Sequence, residues 1–228
     1  MEIGGFQKSS FLDYPGKIAA IIFTQGCNFH CGYCHNPELL PIKGVSSFDE
    51  TSVLEFLKNR QGLLEGVVIS GGEPCLQYDI VDFVSKIKSM NFCVKLDTNG
   101  TFFDVLEELL NKNLIDYIAM DIKSPFGKYN AITCAKIPTE KIKKSIKLIK
   151  NSGIDYEFRT TVLKSQLLMN DFEKIGNMIC GAKKYYLQKF VSSKNLKEKY
   201  SENDTYSDED FEIIAQNLKK YVEYVGIR

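Results

Sequence analysis

The chain has 228 residues, the size of one ordinary domain, and is not small enough to need disulfide staples. Lysine plus arginine equals aspartate plus glutamate at 29 each, so bulk charge points to neither nucleic acid nor a membrane surface. The 44% apolar share can fill a substantial core, and no run is long enough to span a bilayer.

The first residues, MEIGGFQKSSFLDYPG, lack the charged-then-apolar order of a signal peptide. Seven cysteines, an odd and unevenly spread set, suit a reducing compartment and a thiolate site better than an extracellular framework. A cytoplasmic location is therefore expected.

In chain order, DYPG is a turn signal before IAAIIF, whose short, unbroken apolar character predicts a buried parallel strand over Lys17 to Thr24. A helix is expected from Ser47 to about Arg60, with Val53, Leu54 and Leu57 as its stripe. GVVIS, Gly66 to Ser70, reads as the second strand and Asp79 to Met90 as a helix. Phe92 to Asp97 is the third strand, Phe102 to Asn111 a helix, and Tyr117 to Asp121 the fourth strand. The pattern then repeats: helix Thr139 to Asn151, strand Tyr156 to Val162, helix Met169 to Cys180, strand Lys184 to Phe190. A loop over Ser192 to Asp210 and a closing helix over Phe211 to Val225 complete the reading. The helix over Lys136 to Lys150 is strongly basic. Its Ile142, Ile146 and Ile149 at helical spacing make the lysines a solvated face, with docking as a secondary use.

Alternating strands and helices call for a parallel sheet with right-handed crossovers. Six strands in this length fit a partial (β/α)6 TIM-like barrel better than a complete eight-stranded one, which takes about 250 residues. The expected organisation is a single domain, with the barrel core at about 17–190, a short N-terminal extension, and a C-terminal loop and helix over 191–228. No internal repeat is present.

The densest chemistry lies in TQGCNFHCGYCHN, where Cys27, Cys31 and Cys34 fall within eight residues directly after the first strand. Three thiolates can hold three irons of a cubane and leave the fourth open, as a reactive metal site requires. A zinc knuckle with His30 or His35 as fourth ligand is the competing reading, and three buried core thiols the plainest one. His30, between ligands, is expected to face solvent.

Ligands of parallel α/β folds gather outside the carboxyl ends of the strands, and the polar motifs of this chain fall there. Gly71-Gly72-Glu73-Pro74 follows strand two. It is either a tight turn or a stretch whose missing side chains admit a ligand ammonium against backbone carbonyls and Glu73, with Ser70 assisting. Asp97-Thr98-Asn99-Gly100 follows strand three and could be an Asx turn. Asp121 and Lys123 follow strand four, Arg159 lies in strand five and Gln188 in strand six. Asp97 and Asp121 occupy corresponding strand ends, where two carboxylates need a cation or Lys123 to relieve them. The plainer use of Lys123 and Arg159 is sheet-end ion pairing, with Glu157 as a partner. Cys75 reads as packing, and Cys93, Cys134 and Cys180 have no spacing for a second cluster.

CNFHCGYC resembles the CxxxCxxC signature of the radical S-adenosylmethionine (AdoMet) family. The HNPE, GGEPC, KLDTNG and MDIKS segments resemble its branch that activates glycyl-radical enzymes, over about Gly4 to Phe190, most of all the activators of anaerobic ribonucleoside-triphosphate reductase. The resemblance implies a [4Fe-4S] cluster on Cys27, Cys31 and Cys34, and AdoMet held by Ser70, Gly71, Gly72 and Glu73 together with Asp97, Asn99, Lys123, Arg159, Gln188 and Asn36. His35 and Asn36 could bond cluster sulfurs or cofactor. A monovalent cation is implied at Asp97, Thr98, Ala119 and Asp121. Reductive cleavage of AdoMet would yield a 5′-deoxyadenosyl radical that takes hydrogen from a glycine of a large partner, with a flavodoxin- or ferredoxin-like protein as electron donor. No general acid or base is called for.

Two rivals remain. One is another radical AdoMet enzyme, such as a pyruvate formate-lyase-type activase or 7-carboxy-7-deazaguanine synthase; the stretch SSFLDYPGKIAAIIFTQGCNFHCGYCHNPEL favours the reductase activator. The other is a zinc- or cluster-stapled binding module without turnover. The longer activators insert a ferredoxin-like pair of clusters, and no such insert lies between Asn36 and Phe48.

Overall fold

The computed structural model describes residues 1–42, 48–191, 200 and 204–228. Eight strands follow one another through one sheet in chain order, β1 to β8, and the sheet is not closed. By its internal contacts the chain divides into two compact units. The first comprises Met1–Asn28, Glu38–Thr98 and Phe102–Ala119; the second comprises Phe29–Pro37, Asn99–Thr101 and Met120–Arg228.

In the first unit, β1 (Ile3–Ser10) runs antiparallel to β2 (Ala19–Thr24), with register shifts on either side of its centre. β3 (Gly66–Gly71) and β4 (Cys93–Thr98) add in parallel. The run AAIIFT is buried almost throughout, which is why it carries no alternation: a parallel strand is covered on both faces. Helix α1 (Glu50–Lys58) starts where the Asp49 carboxylate accepts the Ser52 amide at 2.9 Å. The expected start at Ser47 lies outside the described residues. α2 (Ile80–Ser89) buries Ile80, Phe83, Val84 and Ile87, and α3 (Phe103–Asn111) buries Leu106 and Leu109. The first three residues of β5 (Tyr117–Asp121) close this unit.

In the second unit, β6 (Asp155–Val162), β7 (Ala182–Lys189) and β8 (Val222–Ile227) are parallel. The Ile122 amide, just past β5, donates to the Arg159 carbonyl of β6 at 2.8 Å. A short helix α4 (Tyr129–Thr133), absent from the sequence reading, precedes α5 (Thr139–Lys150). α5 buries Ile142, Ile146 and Ile149 and turns its lysines outward, as its period predicts. α6 (Met169–Met178) and α7 (Asp208–Leu218) complete the helices; the Ser207 hydroxyl accepts the Asp210 amide at 3.1 Å to start α7.

The partial barrel stands as read from sequence, and its edges are corrected. β1 was masked by two glycines and a polar tail. The expected closing helix over Phe211 to Val225 ends at Leu218, and the chain turns into β8. Val222 continues the helical spacing of Ile214 and Leu218, but VEYVGI is β-branched and aromatic, and the open edge of β7 offers it a full ladder. The expected loop over Ser192 to Asp210 lies largely outside the described residues.

β8 is fastened at its end. The Arg228 guanidinium makes two bonds to Glu157, at 2.8 and 3.0 Å, and lies 3.4 Å from the centre of the Tyr186 ring. Glu157 is 1% exposed, so removing its partner strands a buried carboxylate. Because Arg228 itself is partly solvated, Arg228→Ala is expected to cost about 2 kcal/mol rather than the larger penalty of a fully buried pair. The shift of the urea unfolding midpoint measures it, and an unchanged midpoint would remove Glu157 as the anchor of β8.

Candidate functional site

In the first unit, the ends of β2 and β3 are drawn together by backbone contact. Gly71 has φ +114°, and a Cβ there would lie 2.2 Å from the Thr24 amide nitrogen. A Cβ on Gly72 would lie 2.1 Å from the Gly26 carbonyl oxygen. The Gly72 amide donates to the Thr24 carbonyl at 2.9 Å and the Glu73 amide to the Gly26 carbonyl at 2.8 Å. Both glycines are thus required by the approach of the segment leading into the cysteines, and both of these amides are spent on it. Oε1 of the buried Glu73 accepts the Thr98 hydroxyl at 2.7 Å and the Cys75 amide at 3.1 Å. The buried Cys75 thiol is pushed well up by burial and by Glu73 beside it, as suits a packed, unreactive thiol.

Beside these, Asp97 accepts the Ser70 hydroxyl at 3.1 Å and the Lys95 ammonium at 2.5 Å. Lys95 is 3% exposed and was not singled out from sequence. Its signal in the sequence is partial: residues two apart in a strand share a face, so a lysine two before a strand-end aspartate lies on the aspartate's side of the sheet.

In the second unit, Asp121 at the end of β5 accepts Lys123 Nζ at 2.8 Å and Arg159 Nε at 2.5 Å. Arg159 therefore pairs with Asp121, and the expected partner Glu157 pairs with Arg228 instead. Burial opposes the charged carboxylate, but the Arg159 and Lys123 charges outweigh it and hold the Asp121 carboxyl well below the usual range. For Lys123, burial lowers and Asp121 raises, and the balance lies well above the ordinary lysine value. A carboxyl held low when folded stabilises fully above the unfolded value of about 4 and loses that contribution as pH falls below it. Asp121→Asn is accordingly expected to lower the melting temperature at neutral pH, with the gap to wild type closing below about pH 4. A gap independent of pH would show that the triad contributes nothing through charge.

The cysteine loop contributes a tight turn to this unit, the Cys34 amide donating to the Cys31 carbonyl at 3.0 Å. Cys27 and Cys31 are buried and Cys34 half-buried, none of them in a disulfide. Within the turn, Tyr33 is buried, its ring 5.9 Å from Lys123 Nζ, and its hydroxyl has no hydrogen-bond partner among the described residues. A buried hydroxyl without a partner is costly unless something polar meets it. His30 is exposed, as expected. His35 is exposed, its Nε2 3.0 Å from the Val191 carbonyl and its ring stacked on Phe190. Asn36 and Gln188 are half-buried, Gln188 paired in register with Thr161. Asn99 Oδ1 accepts the amide and hydroxyl of Thr101, the Asx turn that DTNG suggests. Ala119 lies wholly buried within β5.

Two groupings therefore emerge: Ser70, Glu73, Lys95, Asp97 and Thr98 in one unit, and Tyr33, Asp121, Lys123 and Arg159 in the other. Each strand-end aspartate meets a cation of the chain's own, Asp97 that of Lys95 and Asp121 those of Lys123 and Arg159. Among the described residues, no three His, Cys, Asp or Glu side chains are grouped as ligands of one metal ion. A cubane takes each thiolate on a different iron, so three cysteines suffice for it and leave one iron open. Three thiols in one short loop, one turn of which holds an unsatisfied buried hydroxyl beside a lysine, fit a cluster with a polar ligand.

An unclosed parallel α/β sheet with such a loop after its first parallel strand, and charges at the strand ends that follow, defines a class: partial-barrel enzymes built around a cluster and a charged cofactor. The profile of the radical SAM superfamily matches residues 21–179. A Methanocaldococcus jannaschii protein, provisionally named a glycyl-radical enzyme activating enzyme, is 33% identical over 99% of this chain and 95% of its own length. The pyruvate formate-lyase-activating enzyme of Clostridium pasteurianum is 30% identical over 53% of this chain and 52% of its own. Streptococcus suis SuiB bound to S-adenosylmethionine shares the fold, with a TM-score of 0.68 at 14% identity over 90% of this chain and 48% of that one. The chain belongs to the radical SAM superfamily, in the family of the glycyl-radical-enzyme activating proteins. As a radical SAM enzyme it uses a [4Fe-4S] cluster and S-adenosylmethionine. No helix of the described residues is long and apolar enough to cross a membrane.

Proposed function

We propose that this chain activates a glycyl-radical enzyme, and that the partner is an anaerobic ribonucleoside-triphosphate reductase. The observation that carries the cofactor part of the reading is the charge of each grouping taken by itself. In the first unit Glu73, Asp97 and Lys95 sum to −1, which suits an ammonium; in the second Asp121, Lys123 and Arg159 sum to +1, which suits a carboxylate. AdoMet carries both groups.

In this reading Cys27, Cys31 and Cys34 hold the cluster. Bound there, the cluster and AdoMet supply one-electron cleavage of the sulfonium carbon–sulfur bond, giving methionine and an abstractor of hydrogen atoms. The remaining work is positioning and exclusion of water. Ser70, Gly71, Gly72 and Glu73 receive the amino group through carbonyls and carboxylate, their Gly72 and Glu73 amides being committed elsewhere. Asp121 steadies Lys123 and Arg159, so that both cations are set in place before the carboxylate arrives. The Tyr33 hydroxyl gains a polar partner from the ligand. Asn36, Asn99 and Gln188 complete the cofactor's surroundings.

The reductase as partner is supported by the stretch from Ser9 to Leu39, which resembles the activators of that enzyme more than those of a formate lyase. The test is anaerobic reconstitution with dithionite and AdoMet. About four irons per chain and reductant-dependent 5′-deoxyadenosine are expected, then a glycyl-radical EPR signal on adding the reductase. Cleavage without a radical on the reductase, but with one on a formate lyase, would reassign the partner. One zinc per chain and no cleavage would overturn the enzyme reading.

A further inference from the structure

α5 carries five lysines and one glutamate over twelve residues, in a chain whose total charge is balanced. A solvated amphipathic face would explain the lysines alone. It does not explain the groove of about 320 Å³ they border, lined by Phe126, Lys143, Ile146, Lys147, Lys150, Asn151 and Met178. No carboxylate is among the described lining residues, and Lys143 pairs with Glu140 at 2.6 Å outside them: the floor is apolar and the rim carries Lys143, Lys147 and Lys150. Large apolar side chains beneath a charged rim are the composition of a protein-docking surface rather than of bare solvated helix.

The floor also leads inward. Lys143 Nζ lies 5.1 Å from the centre of the Phe126 ring, and the Phe126 and Tyr129 rings are 6.2 Å apart. Tyr129 meets Phe29 edge-on at 6.4 Å, both rings being buried. Phe29 lies in the cysteine loop, between Cys27 and Cys31. The next residue, His30, donates its amide to Thr133 at the end of α4 at 2.8 Å. Two ring contacts and one backbone bond thus join the groove to the loop through packed protein.

We propose that the Lys143–Lys147–Lys150 groove is the docking surface for a small acidic one-electron carrier protein of the flavodoxin or ferredoxin kind, and that the Phe126–Tyr129–Phe29 packing is the route inward. The proposal rests on the reading of the cysteine loop as a cluster site. The carrier loses one electron and the acceptor held by the loop gains it; no bond is made or broken, and no residue on the route is itself reduced. Charge complementarity selects the occupant: a neutral protein with a segregated positive groove attracts an acidic partner at a rate and affinity that fall with salt.

The test is direct binding of an acidic flavodoxin to the full chain as purified, read by titration at several salt concentrations, for wild type and the variant K143E/K147E/K150E. The expected result is wild-type affinity that falls with salt, and at least about ten-fold weaker binding with a flattened salt dependence in the variant. Should the triple variant not fold, Lys147→Glu alone, on an exposed position, is expected to show the same effect in smaller measure. Unchanged affinity in the variants, or wild-type binding indifferent to salt, overturns the docking surface. Flavodoxin binding retained with loss of binding to the glycyl-radical enzyme also overturns it, by assigning the groove to that partner. Dithionite-driven cleavage of AdoMet, run in parallel, is expected to be equal in wild type and variant. Its absence in wild type would overturn the cluster reading, which separates that failure from failure of the docking surface.

Discussion

Replacing Cys31 with alanine is expected to abolish formation of 5′-deoxyadenosine from AdoMet and to leave the reconstituted protein without a four-iron cluster. The argument is one of ligand count. A cubane bound by three thiolates has one iron free for the cofactor; two thiolates leave a second iron without a protein ligand, and the cluster is neither retained nor correctly presented. Turnover is expected to fall to the background of free cluster, a loss of several orders of magnitude rather than a graded one. Cys180→Ala is the control, since that thiol is exposed and lies at the end of α6, away from the loop in sequence and with no ligand spacing. Iron and sulfide content with product quantified by chromatography decides the matter. Wild-type cleavage in the Cys31 variant, or its loss in the Cys180 variant, would show that the ligands have been misassigned.

Gly71→Ala is expected to cost about 4 kcal/mol or more, a large part of the stability of a domain this size. Two terms act together. The backbone at φ +114° is strained for any side-chain-bearing residue, at about 1–3 kcal/mol. The new methyl would also meet the backbone of Thr24 at 2.2 and 2.6 Å, and backbone cannot step aside as a flexible side-chain tip can. Either the end of β3 parts from the end of β2 or the segment entering the cysteine loop shifts. Guanidinium unfolding measures the stability term, and AdoMet cleavage by the surviving folded fraction measures the displacement. A loss under about 1 kcal/mol would mean that the two strand ends yield easily, and that this glycine pair serves the ligand more than the fold.

That pair shows how far sequence reading reaches. The position of GGEP after the second parallel strand follows from periodicity and turn chemistry, and the two readings of its glycines, turn or ligand approach, are both open at that level. Which atoms fill the space beside them depends on the neighbouring strand, fifty residues away, and no local pattern encodes it. Lys95 was missed for a related reason. A lysine in a strand is ordinarily solvated, and only burial on both faces of β4 turns it into the partner of Asp97. Arg159 was read within a strand, as a cofactor-facing cation or an ion-pairing group, and its pairing with Asp121 was set by β5 and β6 lying side by side, while Arg228 takes Glu157.

By itself the sequence determined what is local or periodic. The apolar runs and helical stripes specify the alternation of strand and helix, because burial of a face requires that spacing. The cysteine spacing specifies the thiolate loop, because three sulfurs on one short turn have few other uses. Tertiary structure decided what depends on partners distant in the chain. β1 and β8 became strands because open sheet edges offered hydrogen bonds that their own patterns only weakly request. Arg159 met Asp121 and Arg228 met Glu157 through strand order, since a carboxylate and a cation far apart in sequence are joined by the sheet rather than by the chain.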